Sequence, residues 1–397
     1  MLLRCYAYKT YTKGAETMTS VYAKTLYTGT TVMSDSFLSF EGRDIVGLSD
    51  SPQGEVVDRF DTITPAFIDA HAHIGMVRAG EPSYESETNE KFDSLLAHAD
   101  ALDSVQMDDS SFRDAVEEGV LYSCIVPGSG NIIGGKSAVV RNYAKNTSEA
   151  IIARAGIKAA FGYNPMSTRE WKGSRPFTRM GALALLRQKL HDVRLKMQKE
   201  EEQKGEEKEK VTYTAEESVL KTLLEKKDFM RVHVHKIDDV AALLRFRDEF
   251  DLRIVVDHAG DINDPHIFEE LRRRDIPVVY GPVDSFAYKV ELKHESWRNI
   301  RHLLDSGVTY GLMTDHPVSL QKMLFLQTRW FVRCGLTKSQ AIELVTLKNA
   351  TILGIEAHLG TLEKGKWASF CCWNGDPFDI TSHPVAVYGE GTLLYKD

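Results

Sequence analysis

Short apolar runs alternate with longer amphipathic segments through the middle of the chain. The capping boxes T-A-E-E at 214–217 and T-K-S-Q at 337–340 each open an amphipathic run and predict helix starts. Strands alternating with helices are typical of βα units around a parallel sheet, so the pattern predicts an α/β fold, a (β/α)8 barrel. The predicted strands lie at 67–71, 121–126, 158–161, 230–234, 253–257, 276–280 and 308–314, with 138–141 as the candidate for the eighth.

The two ends of the chain differ in pattern from the middle. Residues 19–64 and 358–397 consist of short runs rich in β-branched and aromatic residues, broken by Gly, Ser and Asp. We expect these ends to pair into one small β-sandwich domain, formed by 1–64 and 355–397, beside a barrel domain at 65–354.

Two segments fall outside this plan. Residues 187–212 are dense in Lys and Glu, and they predict a solvated helix and loop inserted on the outer side of the barrel. Met18 opens a segment that looks like the start of a strand. Residues 1–17 are therefore expected to be an extension or a misassigned start.

Composition narrows the classes of partner. A net charge of −8 without a basic block argues against a nucleic-acid surface, which leaves a small molecule as the expected ligand. No run of about 18 apolar residues is present to span a membrane, and residues 1–18 lack the apolar core of a signal peptide. The five cysteines are scattered without a CxxC pair, which indicates a reducing compartment. We therefore expect a cytoplasmic protein.

Histidines stand at the ends of two apolar strands. His71 and His73 close the run T-P-A-F-I-D-A-H-A-H, and His233 and His235 repeat the spacing in M-R-V-H-V-H. Residues two apart in a strand face the same side, so each pair of imidazoles can bind one ion. Two inward imidazoles without a partner would otherwise leave buried polar groups unsatisfied.

Two further strands end in ionisable residues. His258 follows R-I-V-V-D, and Asp315 and His316 follow V-T-Y-G-L-M-T. Inner strands of a parallel barrel are almost entirely apolar, and catalytic groups collect at their carboxyl ends. The repeated pattern predicts a metal site at the carboxyl-terminal mouth of the barrel. His316 points to the opposite face of a continuing strand, where it is either structural or part of the site.

This ordered set resembles the amidohydrolase superfamily, with HxH on the first strand, His on the fifth and sixth strands and Asp on the eighth. The resemblance covers nearly the whole chain. Several segments are similar to the imidazolonepropionase-like branch: GSGNIIGGKSAVVR at 128–141, FGYNP at 161–165, TRMG at 178–181, TDHPV at 314–318 and the tail GTLEKGKWASFCCWNGDPFD. The resemblance implies a barrel flanked by a β-sandwich from both termini, and a homodimer.

The resemblance also implies roles for the residues at the mouth. His71, His73 and His233 would ligate a divalent ion, with Asp315 as a further ligand or close partner. His258 would complete a second metal position or contact the substrate. His235 would be a ligand or would polarise the scissile carbonyl. Zn²⁺ is the expected ion, with Fe or Mn as alternatives.

The sequence departs from the family pattern at the fourth strand. Tyr163 stands where related sequences often carry an acidic residue. No obvious lysine is seen at the end of that strand to form a carbamylated metal bridge. A single ion is therefore expected rather than two.

The ligand set predicts hydrolysis of a carbon–nitrogen bond in an amide, cyclic amide or dipeptide-like substrate. Water at the open metal position falls to a pKa of about 7, and Asp315 can carry its proton to the leaving nitrogen. One alternative is a heterocycle deaminase releasing ammonia, disfavoured because Lys236 stands where similar deaminases have Glu. The other alternative is a non-catalytic homologue that has lost its metal.

Substrate contacts are predicted from two loops and a strand end. Arg169, Arg175 and Arg179 lie in a loop beyond the fourth strand, and the arginine fork suits a carboxylate. Lys136 in a second loop and Tyr163 complete the candidate set. No P-loop or GxGxxG spacing supports nucleotide binding.

Overall fold

The computed structural model describes residues 17–203 and 211–397. Residues 1–16 of the predicted N-terminal extension lie outside the described residues, as do residues 204–210 of the predicted charged insertion. The described strands are β1 Thr19–Tyr27, β2 Val32–Glu41, β3 Asp44–Ser49, β4 Glu55–Pro65, β5 Phe67–Ala72, β6 Val120–Ile125, β7 Ile133–Arg141, β8 Ile151–Ala160, β9 Met230–Val234, β10 Ile254–His258, β11 Val278–Tyr280, β12 Tyr310–Leu312, β13 Phe370–Trp373, β14 Pro384–Gly389 and β15 Thr392–Lys396. The described α-helices are α1 Ser110–Glu117, α2 Thr147–Ala150, α3 Arg179–Glu202, α4 Ala215–Leu224, α5 Ile237–Phe250, α6 Pro265–Arg273, α7 Ile300–Ser306, α8 Thr328–Arg333, α9 Lys338–Leu344 and α10 Leu347–Leu353.

Eight strands, β5 to β12, form one sheet in chain order. All neighbours are parallel except β7, which pairs antiparallel with both β6 and β8. The sheet is nearly closed into a barrel, and this confirms the predicted α/β barrel. The candidate eighth strand at 138–141 is part of β7, but its direction is opposite to that of the strands beside it.

A buried asparagine links the first and last strands of the barrel sheet. Asn349 of α10 donates to the carbonyls of Ile68 in β5 and Leu312 in β12, at 2.6 and 2.8 Å. Its Oδ1 accepts the Leu312 N–H at 3.0 Å. Past the strand ends, the Asp315 N–H donates to the His71 carbonyl at 3.0 Å. These bonds hold the carboxyl end of β5 against the residues that follow β12.

The second sheet is built from both terminal segments, in the order β15-β14-β13-β4-β1-β2-β3. β13, which comes late in the chain, pairs antiparallel with β4. Phe40 and Tyr388 pack edge to face in the core of this sheet, and Phe370 stacks on Tyr388. The predicted second β-structure from the two ends is therefore confirmed.

Helix starts follow the predicted caps. Thr214 and Thr337 each form a complete capping box, so α4 and α9 begin where the sequence predicts. α3 is longer than the charged segment suggested: it begins at Arg179 and buries Leu186 and Leu190 while its other face meets solvent. Within 17–203 and 211–397, no helix combines the length and the apolar character needed to cross a membrane.

Candidate active site

One group of donor atoms lies where β5 and β12 end. His71 Nε2 and His73 Nε2 lie 3.4 and 3.2 Å from Asp315 Oδ1. His71 is fully buried and His73 nearly so. His73 Nδ1 lies 2.8 Å from the Val126 carbonyl, so the ring donates there and keeps Nε2 for the site. The period-2 spacing of the two histidines places both imidazoles inside the barrel mouth.

A second group lies beside the first, at the ends of β9 and β10. The ring centroids of His233 and His258 are 4.3 Å apart, and His235 is 4.7 Å from His258. All three side chains are buried, and their nitrogens lie close enough together to bind one cation. Burial holds the pKa of each imidazole below its usual value, to about 4 for His235. The three rings are therefore neutral at neutral pH, which is the form that ligates metals.

Three nitrogens of this second group lack a hydrogen-bond partner among the described residues: His233 Nδ1, His235 Nδ1 and His258 Nε2. The opposite nitrogen of His258, Nδ1, lies 3.0 Å from the Gly281 carbonyl. That bond fixes the ring so that Nε2 faces the group. Buried polar atoms are rarely left unpaired, so this set fits a bound cation.

Two donor residues hold uncommon backbone conformations. His258 has a φ of 80° and Asp315 a φ of 52°, both in the left-handed region. Such conformations in non-glycine residues cost roughly 1–3 kcal/mol each and persist mainly at functional sites. The strain lies at the strand ends where these two side chains turn into the mouth.

The buried ion pair of Asp257 and Arg231 holds the imidazole of His71 in place. Asp257 Oδ2 lies 3.0 Å from His71 Nδ1, and Arg231 Nη2 lies 2.8 Å from Asp257 Oδ1. Burial acts to raise the pKa of Asp257, but Arg231 and His71 hold it well below its usual range. The ionised carboxylate accepts the Nδ1 proton of His71, and Nε2 is left to face the site.

Lys158 corrects the expectation that no lysine lies at this strand. It belongs to β8, is fully buried, and places Nζ 3.2 Å from His71 Nε2. Burial lowers the pKa of Lys158 to about 8. The premise for expecting a single ion is therefore wrong. The predicted strand begins at Lys158, whereas β8 begins at Ile151 and reaches the mouth just after Lys158.

Glu291 is a second site residue that sequence reasoning missed. It is fully buried in the segment after β11, with Oε1 3.2 Å from His233 Nε2. Lys289 Nζ lies 3.2 Å from the same oxygen, and the Tyr163 N–H donates to Oε2 at 3.2 Å. Glu291 thus connects His233 to the loop after β8. No local spacing could have revealed a contact between residues so distant in sequence.

The predicted substrate arginines are engaged elsewhere. Arg175 donates to the Glu90 carbonyl at 2.9 Å and stacks on Trp171, while Arg179 pairs with Asp239 of α5. Arg169 lies exposed in the loop between them and β8. The guanidiniums of Arg175 and Arg179 are used in contacts of the loop and of α5, away from the donor atoms.

The remaining candidates have separate positions. Lys136 lies within β7, and the backbone N–H of Tyr163 donates to Glu291 Oε2. The substrate contacts predicted for both residues stay predictions. His316 is buried outside both donor groups, where its Nδ1 accepts the Gln321 N–H at 3.2 Å. Of the two roles left open for His316, this contact favours the structural one.

A barrel that gathers imidazoles and a carboxylate at the carboxyl ends of its strands defines the class of metal-dependent barrel hydrolases. The comparison with known families agrees, since the amidohydrolase family model matches residues 62–393. The chain belongs to the amidohydrolase family. This confirms the resemblance at the level of the family, and not of the imidazolonepropionase-like branch.

Two solved structures illustrate the likeness. An amidohydrolase from Thermotoga maritima is 31% identical, with a TM-score of 0.89 over 96% of this chain and 100% of that chain. A Xaa-Pro dipeptidase with bound methionine is 15% identical, with a TM-score of 0.60 over 96% of this chain and 100% of that one. At that identity, the second likeness shows the shared fold alone.

One curated protein is also related to this chain in sequence. Amidohydrolase tasK of Hapsidospora irregularis is 23% identical over 359 residues, which are 84% of this chain. The match covers 36% of the relative, so this chain spans about a third of its length.

Proposed function

We propose that this chain is a metal-dependent hydrolase that cleaves an amide-type carbon–nitrogen bond of a small molecule. The observation that carries the proposal is the trio of unpartnered buried nitrogens within the described chain, on His233, His235 and His258. Leaving such atoms unsatisfied costs about 1–3 kcal/mol each, and a divalent cation would satisfy them as ligands. Their neutral state at neutral pH supports the same conclusion.

The residues that would hold metal are His71, His73 and Asp315 in one group, with His233 and His258 in the other. His235 stays a ligand of the second group or a donor to the substrate carbonyl. Imidazole and carboxylate donors suit Zn²⁺, and also Fe or Mn. A divalent cation, when bound, supplies the Lewis acidity that makes water a nucleophile near neutral pH.

Two metal positions are a better hypothesis than the single ion expected from the sequence. Lys158 lies beside His71, and its lowered pKa leaves a share of its amine neutral near neutral pH. A neutral amine adds CO₂: the Nζ–C bond forms, one N–H proton leaves, and a carbamate with two oxygen donors results. Such a group next to the imidazole of His71 would add oxygen donors to the imidazoles that would hold metal.

The experiment for two positions is reconstitution of metal-free protein with Zn²⁺, with and without bicarbonate. We expect about two equivalents per chain with bicarbonate and at most about one in Lys158→Met. Lys189→Met, at a lysine that pairs with Glu216 between α3 and α4, is the matched control and should bind metal as the wild type does. About one equivalent in the wild type with bicarbonate would leave the single-ion expectation standing, and about two equivalents in Lys158→Met would contradict the role proposed for Lys158.

Asp315 is the group proposed to move the proton. Burial acts to raise its pKa, but the imidazoles of His258, His71 and His73 hold that pKa well below its usual range. The carboxylate is therefore ionised and can accept a proton from the attacking water. It can then return that proton to the leaving nitrogen as the C–N bond breaks.

The test of this function is a hydrolysis screen of amides, cyclic amides and dipeptides, with amino-substituted heterocycles beside them. We expect amide cleavage that is lost on chelation and restored by metal. Asp315→Asn should lower kcat by about 100-fold or more. His191→Ala on α3 is the control and should keep full activity. Ammonia released from heterocycles alone would contradict amide hydrolysis, and a rate indifferent to chelation would contradict metal dependence.

A further inference from the structure

A cavity of about 550 Å³ opens between the loops that follow β11 and β12. Its apolar lining residues are Val283, Phe286, Tyr288, Pro317 and Val318, and the polar ones are Asp284, Ser285 and Ser319. The volume is in the range of small-molecule sites, which are mostly apolar with a few polar groups.

Each wall of this cavity is tied to a residue of the candidate site. Val283 comes two residues after Gly281, whose carbonyl holds His258. Pro317 comes two residues after Asp315, and the Val318 N–H donates to the Asp315 carbonyl at 2.9 Å. The cavity therefore adjoins both donor groups at the barrel mouth.

Tyr288 of the cavity lining is followed by Lys289, which contacts the candidate site. Lys289 Nζ contacts Glu291 Oε1, the same oxygen that lies 3.2 Å from His233 Nε2. Three separate connections thus place the cavity lining within a few residues of groups that contact His258, Asp315 and His233.

The cavity exposes large apolar side chains that the fold itself does not cover. Phe286 is 83% exposed, Tyr288 57% and Val318 44%. Single exposed apolar residues are common, but several around one concave site indicate a ligand surface. The free energy gained by burying them favours a bulky apolar ligand group.

The charges around the cavity select against an anion. The carboxylate of Asp284 lies in the lining, and like charges disfavour each other. Lys289, the cation beside Tyr288, is already paired with Glu291 at 3.2 Å. A carboxylate-bearing substrate group would meet Asp284 and find no unpaired cation among the lining residues.

We propose that this cavity is the specificity subsite for a bulky apolar, preferentially aromatic, substrate group without negative charge. The proposal deepens the proposed function and rests on it, since the group would flank the C–N bond that is cleaved. Substrate recognition is then expected at the loops after β11 and β12 rather than at Arg169, Arg175 and Arg179.

The test measures binding, which does not require turnover. N-acetyl-phenylalanine amide and N-acetyl-alanine amide are titrated against the full-length protein by ligand-observed NMR. The phenylalanine probe should bind about tenfold more tightly, because the cavity buries its ring. Phe286→Ala should abolish most of this difference. Phe177→Ala, at a phenylalanine that is 70% exposed but outside the cavity lining, should preserve it.

The charge is tested with N-succinyl-phenylalanine amide, which adds a carboxylate. It should bind the wild type several-fold more weakly than the N-acetyl probe, and Asp284→Asn should remove the difference. Equal affinities of the phenylalanine and alanine probes, or no effect of Phe286→Ala, would overturn the subsite. Cleavage of either probe reports separately on amide hydrolysis, so the two failures are distinguishable.

Discussion

Asp257 and Arg231 form the buried charged pair on which the orientation of His71 depends. Removing one partner of such a pair leaves an uncompensated buried charge and costs about 3–5 kcal/mol. Asp257→Ala should lower the free energy of unfolding by that amount in urea denaturation, and should weaken metal binding. Asp114→Ala removes a solvent-exposed pair with Lys322 and should cost about 1 kcal/mol or less. Equal losses in the two variants would contradict this account.

Glu295 is expected to make stability depend on pH. Burial, with a contribution from Asp284, raises its pKa to about 7 from an ordinary 4.5. The folded state therefore favours the protonated form, and this stabilisation, complete below pH 4.5, is lost as the pH rises through about 7.

Glu295→Gln removes the free-energy cost of holding an ionised carboxylate at this half-buried position. The variant should melt at a higher temperature than the wild type at pH 8, and the gain should shrink at pH 5. Glu356→Gln, on an exposed residue, should show no such difference between the two pH values. A gain that is equal at both pH values would show that ionisation of Glu295 is not the cause.

Residues with a local pattern could be predicted from the sequence, and residues without one could not. His71, His73, His233, His235, His258 and Asp315 were found because they follow apolar strands, and the structure brings these six together. Lys158 was missed because it stands before the apolar end of its strand. Glu291 was missed because its contact with His233 is made only by the closure of the barrel.

At the scale of elements, the predicted strands correspond to β5, β6, β8, β9, β10, β11 and β12. The pattern of apolar and polar residues along the chain predicts where a strand lies. The direction of the strand depends on its pairing with distant segments. The segment at 138–141 illustrates this limit, because it forms part of β7, which is antiparallel to β6 and β8.

The joint between β5 and β12 is expected to depend on Asn349. Asn349→Ala would leave backbone groups of Ile68 and Leu312 unpaired in the core. Each such group costs about 1–3 kcal/mol, so the variant should lose at least about 2 kcal/mol of stability in chemical denaturation. Asn374→Ala, at the surface, should change stability by about 0.5 kcal/mol or less. A neutral Asn349→Ala would show that the barrel closes without this side chain.

For the molecule as a whole, the two donor groups couple metal binding to folding. A ligand that binds only the folded state adds about 4 kcal/mol at a thousand times its dissociation constant. Chelation should therefore lower the melting temperature by several degrees, and added Zn²⁺ should restore it. Asp315→Ala combined with His258→Ala should abolish the response. An identical melting curve with and without chelator would contradict coupling between metal and fold.

The most direct test of the metal centre is elemental analysis of the purified protein. We expect about two equivalents of Zn, Fe or Mn per chain. Most of this metal should be lost when His71 and His73, or His233 and His258, are replaced by alanine. The control, His191→Ala with His302→Ala, should retain it. A wild-type protein without metal, even after growth in metal-supplemented medium, would contradict the central claim and favour a barrel that has lost its catalytic role.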